Sequence, residues 1–333
     1  MEPTIEQGHI DVALTDFAVS LFFESMNFTA NEIAPPITVS SQSGKYFIVD
    51  PREAYTDEHE MELMYGQIAT ELDFVIGKGN YGTNLIGKRH LLPDGIMLNS
   101  DTAVRERQKG LTYIAMNLGI RRERRLAALI TDADTYPSAD HFFVVDTPWD
   151  MPNSDPLIDI QQGARVMALA CGVVPNRMVC SPRTYDALIR NPLIRQLIRS
   201  SPARAERYLE AGEIGDQLFS LRLIKAGAVY DTAAPLETKN MVFIWENFLS
   251  DAGTDWALLY FFDPSPGLFT SGFGAQFVWN ANEIAPGLMG RVRVYRDDAR
   301  EGTWYEMRSD WQLKITNPAA GVVMTGTSGA SSS

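Results

Sequence analysis

Residues 100–131 read as one long helix. Val104, Leu111, Ala115, Leu118, Leu126 and Leu129 keep roughly heptad spacing on one face. Ser100 or Asp101 supplies an N-cap. At 1.5 Å per residue the helix is roughly 45 Å long. That is long for a compact domain, and Gly110 and Gly119 are expected to bend it.

A chain of 333 residues, 45% of them hydrophobic, has enough material for two modest domains or one large one with extensions. The formal net charge of -13 excludes the usual DNA-binding modules, which grip phosphate with Lys and Arg. It leaves open a container wall, which must not stick to DNA. The charge is uneven. Residues 1–66 hold twelve acids against Lys45 and Arg52, whereas residues 67–131 hold ten bases against six acids. Two readings stand: a soluble acidic segment beside a solvated helix, or complementary surfaces on neighbouring subunits.

Residues 1–65 are expected to form an extended arm. A helical patch fits Ile10–Phe23, and Pro35, Pro36 and Pro51 interrupt anything longer. Apolar runs such as Tyr46-Phe47-Ile48-Val49 imply that the arm lies on its own body or on a neighbour. Residues 66–98 read as a long hairpin. Thr70–Ile76 would pair with Asn84–Leu92 around a flexible glycine tip at residues 77–82. A second helix over 154–171 is capped by Ser154 or Asp155 and stopped by Gly172. Its apolar stripe is Leu157, Ile160, Ala164, Met167 and Cys171. The strand Arg177–Cys180 follows, then a helix opening at Ser181-Pro182 and ending near Asn191-Pro192. From residue 221 the chain is strand-rich: Leu221–Lys225, Met241–Trp245, Trp256–Phe262, Ala275–Trp279, Arg291–Arg296 and Trp304–Lys314. The closing TGTSGASSS reads as a mobile tail. These elements make an α+β protein.

Several patterns look like chemistry and have simpler explanations. Gly77, Gly79 and Gly82 match G-x-G-x-x-G, but the helix that must follow a dinucleotide loop is absent. Residues 82–89 nearly match a P-loop, with Arg89 where the Mg²⁺-binding Ser or Thr belongs. His9, His59, His90 and His141 are scattered. Asp132, Asp134, Asp140 and Asp146 lack the spacing of a calcium loop. Cys171 and Cys180 are expected to be buried thiols. No catalytic, cofactor-binding or metal-binding residue is therefore assigned, and no cofactor is expected. The start, MEPTIEQGHID, is unlike a signal peptide, no apolar run approaches the ~20 residues of a bilayer span, and a cytoplasmic protein is expected.

Ordered blocks carry a resemblance. Trp149 is followed by Ser154-Asp155-Pro156-Leu-Ile-Asp-Ile, and then by Gly172-Val-Val-Pro-Asn-Arg-Met-Val-Cys-Ser-Pro-Arg-Thr-Tyr-Asp-Ala-Leu-Ile-Arg-Asn-Pro192. Leu223–Tyr230, Met241–Trp245, Leu258–Phe262, Gly274–Trp279, Val292–Tyr295 and Trp311–Ile315 complete the order. Across residues 66–324 the chain resembles the tailed-phage major capsid proteins of the lambda-type (E-protein) family, which share the HK97-like fold. The resemblance implies a structural protein, not an enzyme, that self-assembles into pentamers and hexamers of an icosahedral head around double-stranded DNA. It implies an N-terminal arm (1–65), an extended loop (66–98), a peripheral domain with a long spine helix (99–154 and 286–333) and an axial domain (155–285).

Further partners follow from the same resemblance: a separate scaffolding protein, a portal protein and, on some relatives, a decoration protein. DNA would be enclosed without sequence-specific binding, and no membrane is involved. Assembly would occur in the host bacterial cytoplasm and the product would be the virion. Encapsulin-type shells, which enclose enzymes, share the fold and are one alternative; a nucleotide-binding enzyme is the alternative from another class. The inter-subunit contact candidates are Lys78, Tyr81, Lys88 and Arg89 in the loop, and Arg121, Arg122, Arg124 and Arg125 on the spine helix. Lys78 and Lys88 lie where some relatives form a crosslink, although surface lysines in a hairpin need no such role.

Overall fold

The computed structural model describes residues 9–10, 28–48, 76–99, 103–200, 217–234, 237–246, 255–265, 267–279 and 290–329. In chain order the first half contains β1 (His9–Ile10), α1 (Ala30–Ile33), β2 (Pro36–Val39), β3 (Ser43–Ile48), β4 (Gly77–Gly82), β5 (Asn84–Pro93), α2 (Asp94–Asn99), α3 (Ala103–Ile130), β6 (Phe142–Val144) and α4 (Pro156–Cys171). Then come β7 (Arg177–Cys180), α5 (Pro182–Arg190), α6 (Pro192–Arg199), β8 (Gln217–Leu218), β9 (Leu221–Lys225), β10 (Val229–Asp231) and β11 (Met241–Phe243). The last strands are β12 (Trp256–Tyr260), β13 (Phe269–Thr270), β14 (Gly274–Trp279), β15 (Arg291–Asp297), β16 (Gly302–Ile315) and β17 (Gly321–Thr325).

Two six-stranded sheets organise these elements. The first runs β1-β15-β16-β14-β2, with β5 also paired to the long β16. The second runs β6-β17-β12-β7-β9-β8. In β12 every residue is buried, and its side chains alternate between two cores. Trp256, Leu258 and Tyr260 enter one core, together with Val179 and Val323. Ala257 and Leu259 enter the other, with Met178, Cys180, Val322 and Met324. The period of two along a strand sorts them. A sheet covered on both faces therefore reads as a continuous apolar run. One cover is built from α4, α5 and α6, which supply Ile160, Met167, Leu188, Ile194 and Ile198. The other is the core shared with α3 and the first sheet.

Local chemistry fixes the helix ends. The Asp155 side chain accepts the Leu157 N–H, Pro156 occupies the first turn of α4, and Gly172 closes it at φ 71. The Ser181 side chain accepts the Thr184 N–H at the start of α5. Asn191 ends α5 and caps α6 through Leu193 and Ile194. The expected helices over 100–131 and 154–171 are thus present, within a few residues. Residues 100–102, where the first cap was expected, lie outside the described residues, as does most of the helical patch expected from Ile10 to Phe23. Gly110 and Gly119 serve close approach: an added Cβ would come within 2.7 Å of the His90 ring and 2.7 Å of the Phe28 ring.

Two expectations are overturned. Residues 77–82 are not a flexible hairpin tip. They form β4, which pairs antiparallel with β3 of the arm from Ser43↔Gly82 to Ile48↔Gly77. Residues 70–75 of the strand expected to pair with Asn84–Leu92 lie outside the described residues, and β5 pairs with β16. The physical reason is a pair of glycine–tyrosine registers, Gly44↔Tyr81 and Tyr46↔Gly79. Each ring lies over the opposing glycine and packs on Phe277 of β14, Tyr81 stacking at 4.6 Å between centroids and Tyr46 tilted at 5.3 Å.

The tail is the second correction. Thr325 and Thr327 are buried. The Ser328 hydroxyl donates to Asp255, and the Gly329 N–H donates to Asp150 Oδ1 at 3.0 Å. Trp149 N–H donates to the Thr327 carbonyl at 2.8 Å. Polar residues here satisfy one another's hydrogen bonds, which composition does not reveal. Residues 330–333 lie outside the described residues.

Candidate functional site

On α3, residues 121–125 divide by helical phase. Arg121 and Arg124 are exposed and Arg125 is partly buried, whereas Arg122 and Glu123 are fully buried. The outward group faces a cleft of about 670 Å³ between α3, β5 and β10. Its lining includes Ile86, Gly87 and Lys88 from β5, Asn117, Arg121, Arg124, Arg125 and Ala128 from α3, and Tyr230 and Asp231 from β10.

Four of the expected contact residues, Lys88, Arg121, Arg124 and Arg125, are therefore brought together on one surface. The Arg124 guanidinium lies 4.5 Å from the Tyr230 ring centroid and that of Arg125 lies 5.2 Å from Trp311. Flat cations stacked on rings keep their outer edges available for carboxylates. Burial, and then the neighbouring charge of Arg121, hold the Arg125 pKa below the usual arginine value. Among the described residues, no ion pair engages any of these four, and Asp231 is the one carboxylate of the lining. Its Oδ1 already accepts the N–H groups of Ala233 at 3.0 Å and Asn240 at 2.9 Å. Those two hydrogen bonds hold its pKa below the ordinary carboxylate value. The cleft is a cationic surface whose built-in acid is occupied elsewhere.

Arg122 and Tyr81 do not share that surface. Arg122 donates to the Asn31 side chain at 2.9 Å, and burial brings its pKa down to about 10. Tyr81 is buried on Phe277. Both side chains are consumed inside their own chain. Helical phase could have placed Arg122, because it stands four residues from Leu118 and four from Leu126 on the buried stripe. Arg89 is exposed but stacks on Trp304 at 4.3 Å and donates to the Tyr295 hydroxyl at 3.2 Å. Lys78 is exposed on β4. Tyr230 and Asp231 were missed. They reach the cleft from a hairpin a hundred residues away, and no local pattern marks them.

The inward face of α3 holds the arm. Glu123 accepts the Thr29 N–H at 2.9 Å, the Thr29 hydroxyl, the Ala30 N–H at 3.0 Å and the Trp245 indole N–H at 2.7 Å. Glu32 of the arm pairs with Arg177, and with Arg222 at 3.3 Å. So the described arm, residues 28–48, docks on its own chain, and at α3 the charged group belongs to the helix.

The chemical motifs fare as follows. Gly77, Gly79 and Gly82 are strand residues, and Gly79 lies beneath the Tyr46 ring, leaving no phosphate cradle. His141 is buried, with Nδ1 2.8 Å from the Gly321 carbonyl. Cys171 and Cys180 are buried thiols outside any disulfide, as expected, and burial pushes the Cys180 pKa well up. Among the described residues, no group of three or more His, Cys, Asp or Glu could hold a metal, and no helix is long and apolar enough to cross a membrane.

Known proteins supply the next observation. Residues 135–224 match the family model of phage major capsid protein E. That span covers α4, β7, α5 and α6, where the "PN…SP…AL…NP" block sits. No curated protein matches the sequence. Solved structures match along almost the whole chain. A phage-related protein from Bordetella bronchiseptica RB50 is 16% identical with a TM-score of 0.68, covering 96% of this chain and 98% of that one. A putative prophage capsid protein from E. coli CFT073 is 13% identical with a TM-score of 0.52, over 95% and 99%. The holo-SrpI encapsulin complex from Synechococcus elongatus PCC 7942 is 13% identical with a TM-score of 0.51, over 92% and 89%. The fold is α+β and HK97-like.

Proposed function

We propose that this chain is the major capsid protein of a tailed bacteriophage, assembling as pentamers and hexamers into an icosahedral head around double-stranded DNA. The observation that carries the reading is the capsid-E match at residues 135–224, on a fold shared over 96% of the chain with a phage-related protein. In this reading α3 is the spine helix of a peripheral domain (99–154 and 286–333) and residues 155–285 form the axial domain. Hydrogen-bonded strands cross that division. β17 sits in the sheet of β7 and β12, and β14 in the sheet of β15 and β16. The domains are then two lobes on one shared core. Lys78, Lys88, Arg121, Arg124 and Arg125 are the cations that meet neighbouring subunits in this reading.

A separate scaffolding protein, a portal and, optionally, a decoration protein complete the head, and the chain's role is structural rather than catalytic. Assembly takes place in the host bacterial cytoplasm, and the finished shell belongs to the virion. Overall acidity, -13, suits an inner wall along which DNA must move. The structural match to an encapsulin supports a second reading, a nanocompartment shell. The contents decide between them. Particles should be purified from a phage lysate or prophage-induced culture, and their mass and nucleic-acid content measured. Shells containing this chain and packaged DNA support the head reading. Shells of this chain enclosing an enzyme and no genome support the encapsulin reading.

A further inference from the structure

Helices α5 and α6 form a basic island in an acidic chain. Residues 182–200 hold Arg183, Arg190, Arg195 and Arg199 against one acid, Asp186. Asp186 is taken by Lys225 at 3.3 Å, and Arg183 by Glu246 at 3.6 Å. The other three arginines line a cleft of about 550 Å³, together with Gln196 and Asp150. Helical phase puts them there. Pro192, Arg195, Gln196 and Arg199 stand at i, i+3, i+4 and i+7 on α6, which is one face of a helix. Ile194 and Ile198 turn the opposite way, into the core.

The cleft is prepared for an anion. All three arginines are exposed, and among the described residues no ion pair engages them. The Arg195 Nε donates to the Ile189 carbonyl at 3.1 Å. That bond fixes the guanidinium plane and leaves the two Nη groups for a ligand. Asp150, the one carboxylate of the lining, already accepts the Gly329 N–H through Oδ1 at 3.0 Å. Like charges four residues apart, as in Arg195 and Arg199, disfavour a helix until an opposite charge sits between them. We propose that this cleft is a phosphate-binding site, in which Arg195 and Arg199, with Arg190, hold the non-bridging oxygens of a phosphate or phosphodiester. A carboxylate presents two coplanar oxygens, which a single guanidinium fork satisfies. A phosphate spreads its oxygens around a tetrahedron and engages several forks at once, as three converging arginines require. Free phosphate and a nucleic-acid backbone share this chemistry. In the head reading the enclosed DNA supplies the backbone, although the site does not depend on that reading. Contact with backbone alone reads no sequence.

Two titrations of the purified full-length protein at low salt test the site. One uses a short labelled DNA duplex followed by fluorescence anisotropy, the other inorganic phosphate followed by calorimetry against chloride of equal ionic strength. The test variant is Arg195→Gln/Arg199→Gln. The control, Arg165→Gln/Lys239→Gln, loses the same two charges from exposed positions outside the cleft. The test variant should weaken binding roughly tenfold or more, whereas the control stays close to the parent. The slope of log K against log salt for the duplex should shallow by about two, near one for each arginine removed. Cleft-dependent binding of both ligands assigns the backbone as a source, and binding of inorganic phosphate alone assigns the free anion. Binding of neither, or equal losses in test and control variants, would overturn the proposal and leave a solvated helix face. Displacement of the duplex by polyglutamate as readily as by unlabelled duplex would overturn it in favour of a carboxylate partner. If the double variant loses its fold by circular dichroism, Arg199→Gln alone replaces it. Micrographs of the same samples keep the shell reading separate. Where shells are closed the phosphate titration decides, since a duplex outside cannot reach a cleft that faces inward. Shells without cleft-dependent binding sink the site alone, whereas cleft-dependent binding by protein that never forms shells counts against the head reading and keeps the site.

Discussion

At the scale of single residues, buried donors decide the argument. Thr29 N–H, Ala30 N–H and the Trp245 indole N–H all donate to the Glu123 carboxylate, and all four residues are at most 2% exposed. Each buried donor left without an acceptor costs about 1–3 kcal/mol. Glu123→Ala is therefore expected to lower subunit stability by on the order of 3 kcal/mol or more. Glu123→Gln, which keeps an acceptor oxygen, should cost less. Urea unfolding of the subunit measures both, and equal small losses would contradict the account. Asp255 makes a pH prediction. Burial, opposed by the Ser328 hydrogen bond, raises its pKa above the usual aspartate value. A raised acid binds its proton more tightly in the fold, so this group's stability contribution is greatest below its unfolded pKa and falls as pH rises through the folded one. Asp255→Asn, which keeps an acceptor for Ser328, should therefore compare best with the parent near neutral pH. Its relative advantage should shrink as pH falls to about 4, near the unfolded value. A constant difference across that range would contradict the assignment.

At the scale of elements, β4 was the least legible part of the chain and α4 the most. The start and stop of α4 are written in adjacent residues, Asp155, Pro156 and Gly172, so a local reading suffices. The reason GKGNYG is a strand lies in Tyr46 and Phe277, more than thirty and nearly two hundred positions away. Locally, three glycines within six residues look like a loop. The tail after Thr325 misleads in the same way, since Asp150 and Asp255 hold it from a distance. Two measurements follow. Gly79→Val would drive a side chain into the Tyr46 ring, and overpacking typically costs ~1–3 kcal/mol. Hydrogen exchange should then speed up in β3 and β4 while β12 and β17 keep their protection. Uniform loss across all four strands would show that the small sheet is not an independent unit. Calorimetric titration with ATP or NAD should give no heat of binding, because the glycines of both nucleotide-like motifs lie in strands. Micromolar affinity would refute this.

At the scale of the whole molecule, the sequence order of weak blocks carried more than any motif. The long α3, the capped α4 and α5 and the strand β12 all follow from patterns a single chain displays, whereas α6 and β17 were not read from the sequence. The fold they build could be anticipated for that reason. The acid–base asymmetry was also visible, but its geometry was not. Arg122 and Glu123 turn inward to hold the arm of the same chain, and Arg121, Arg124 and Arg125 turn outward beside Lys88. A helix segment that reads as basic in the sequence becomes two surfaces of different purpose once its phase is fixed. Among the described residues, no ion pair engages the outward cations. The inward one is complete. That contrast is what a subunit made for a lattice should display, since its unfinished surfaces are finished by copies of itself. Electron microscopy of the purified protein, alone and co-expressed with a candidate scaffolding protein, tests this most directly. The account predicts closed shells built from fivefold and quasi-sixfold rings. A protein that stays monomeric or dimeric in both preparations, and is missing from any phage heads recovered from its source culture, would contradict it.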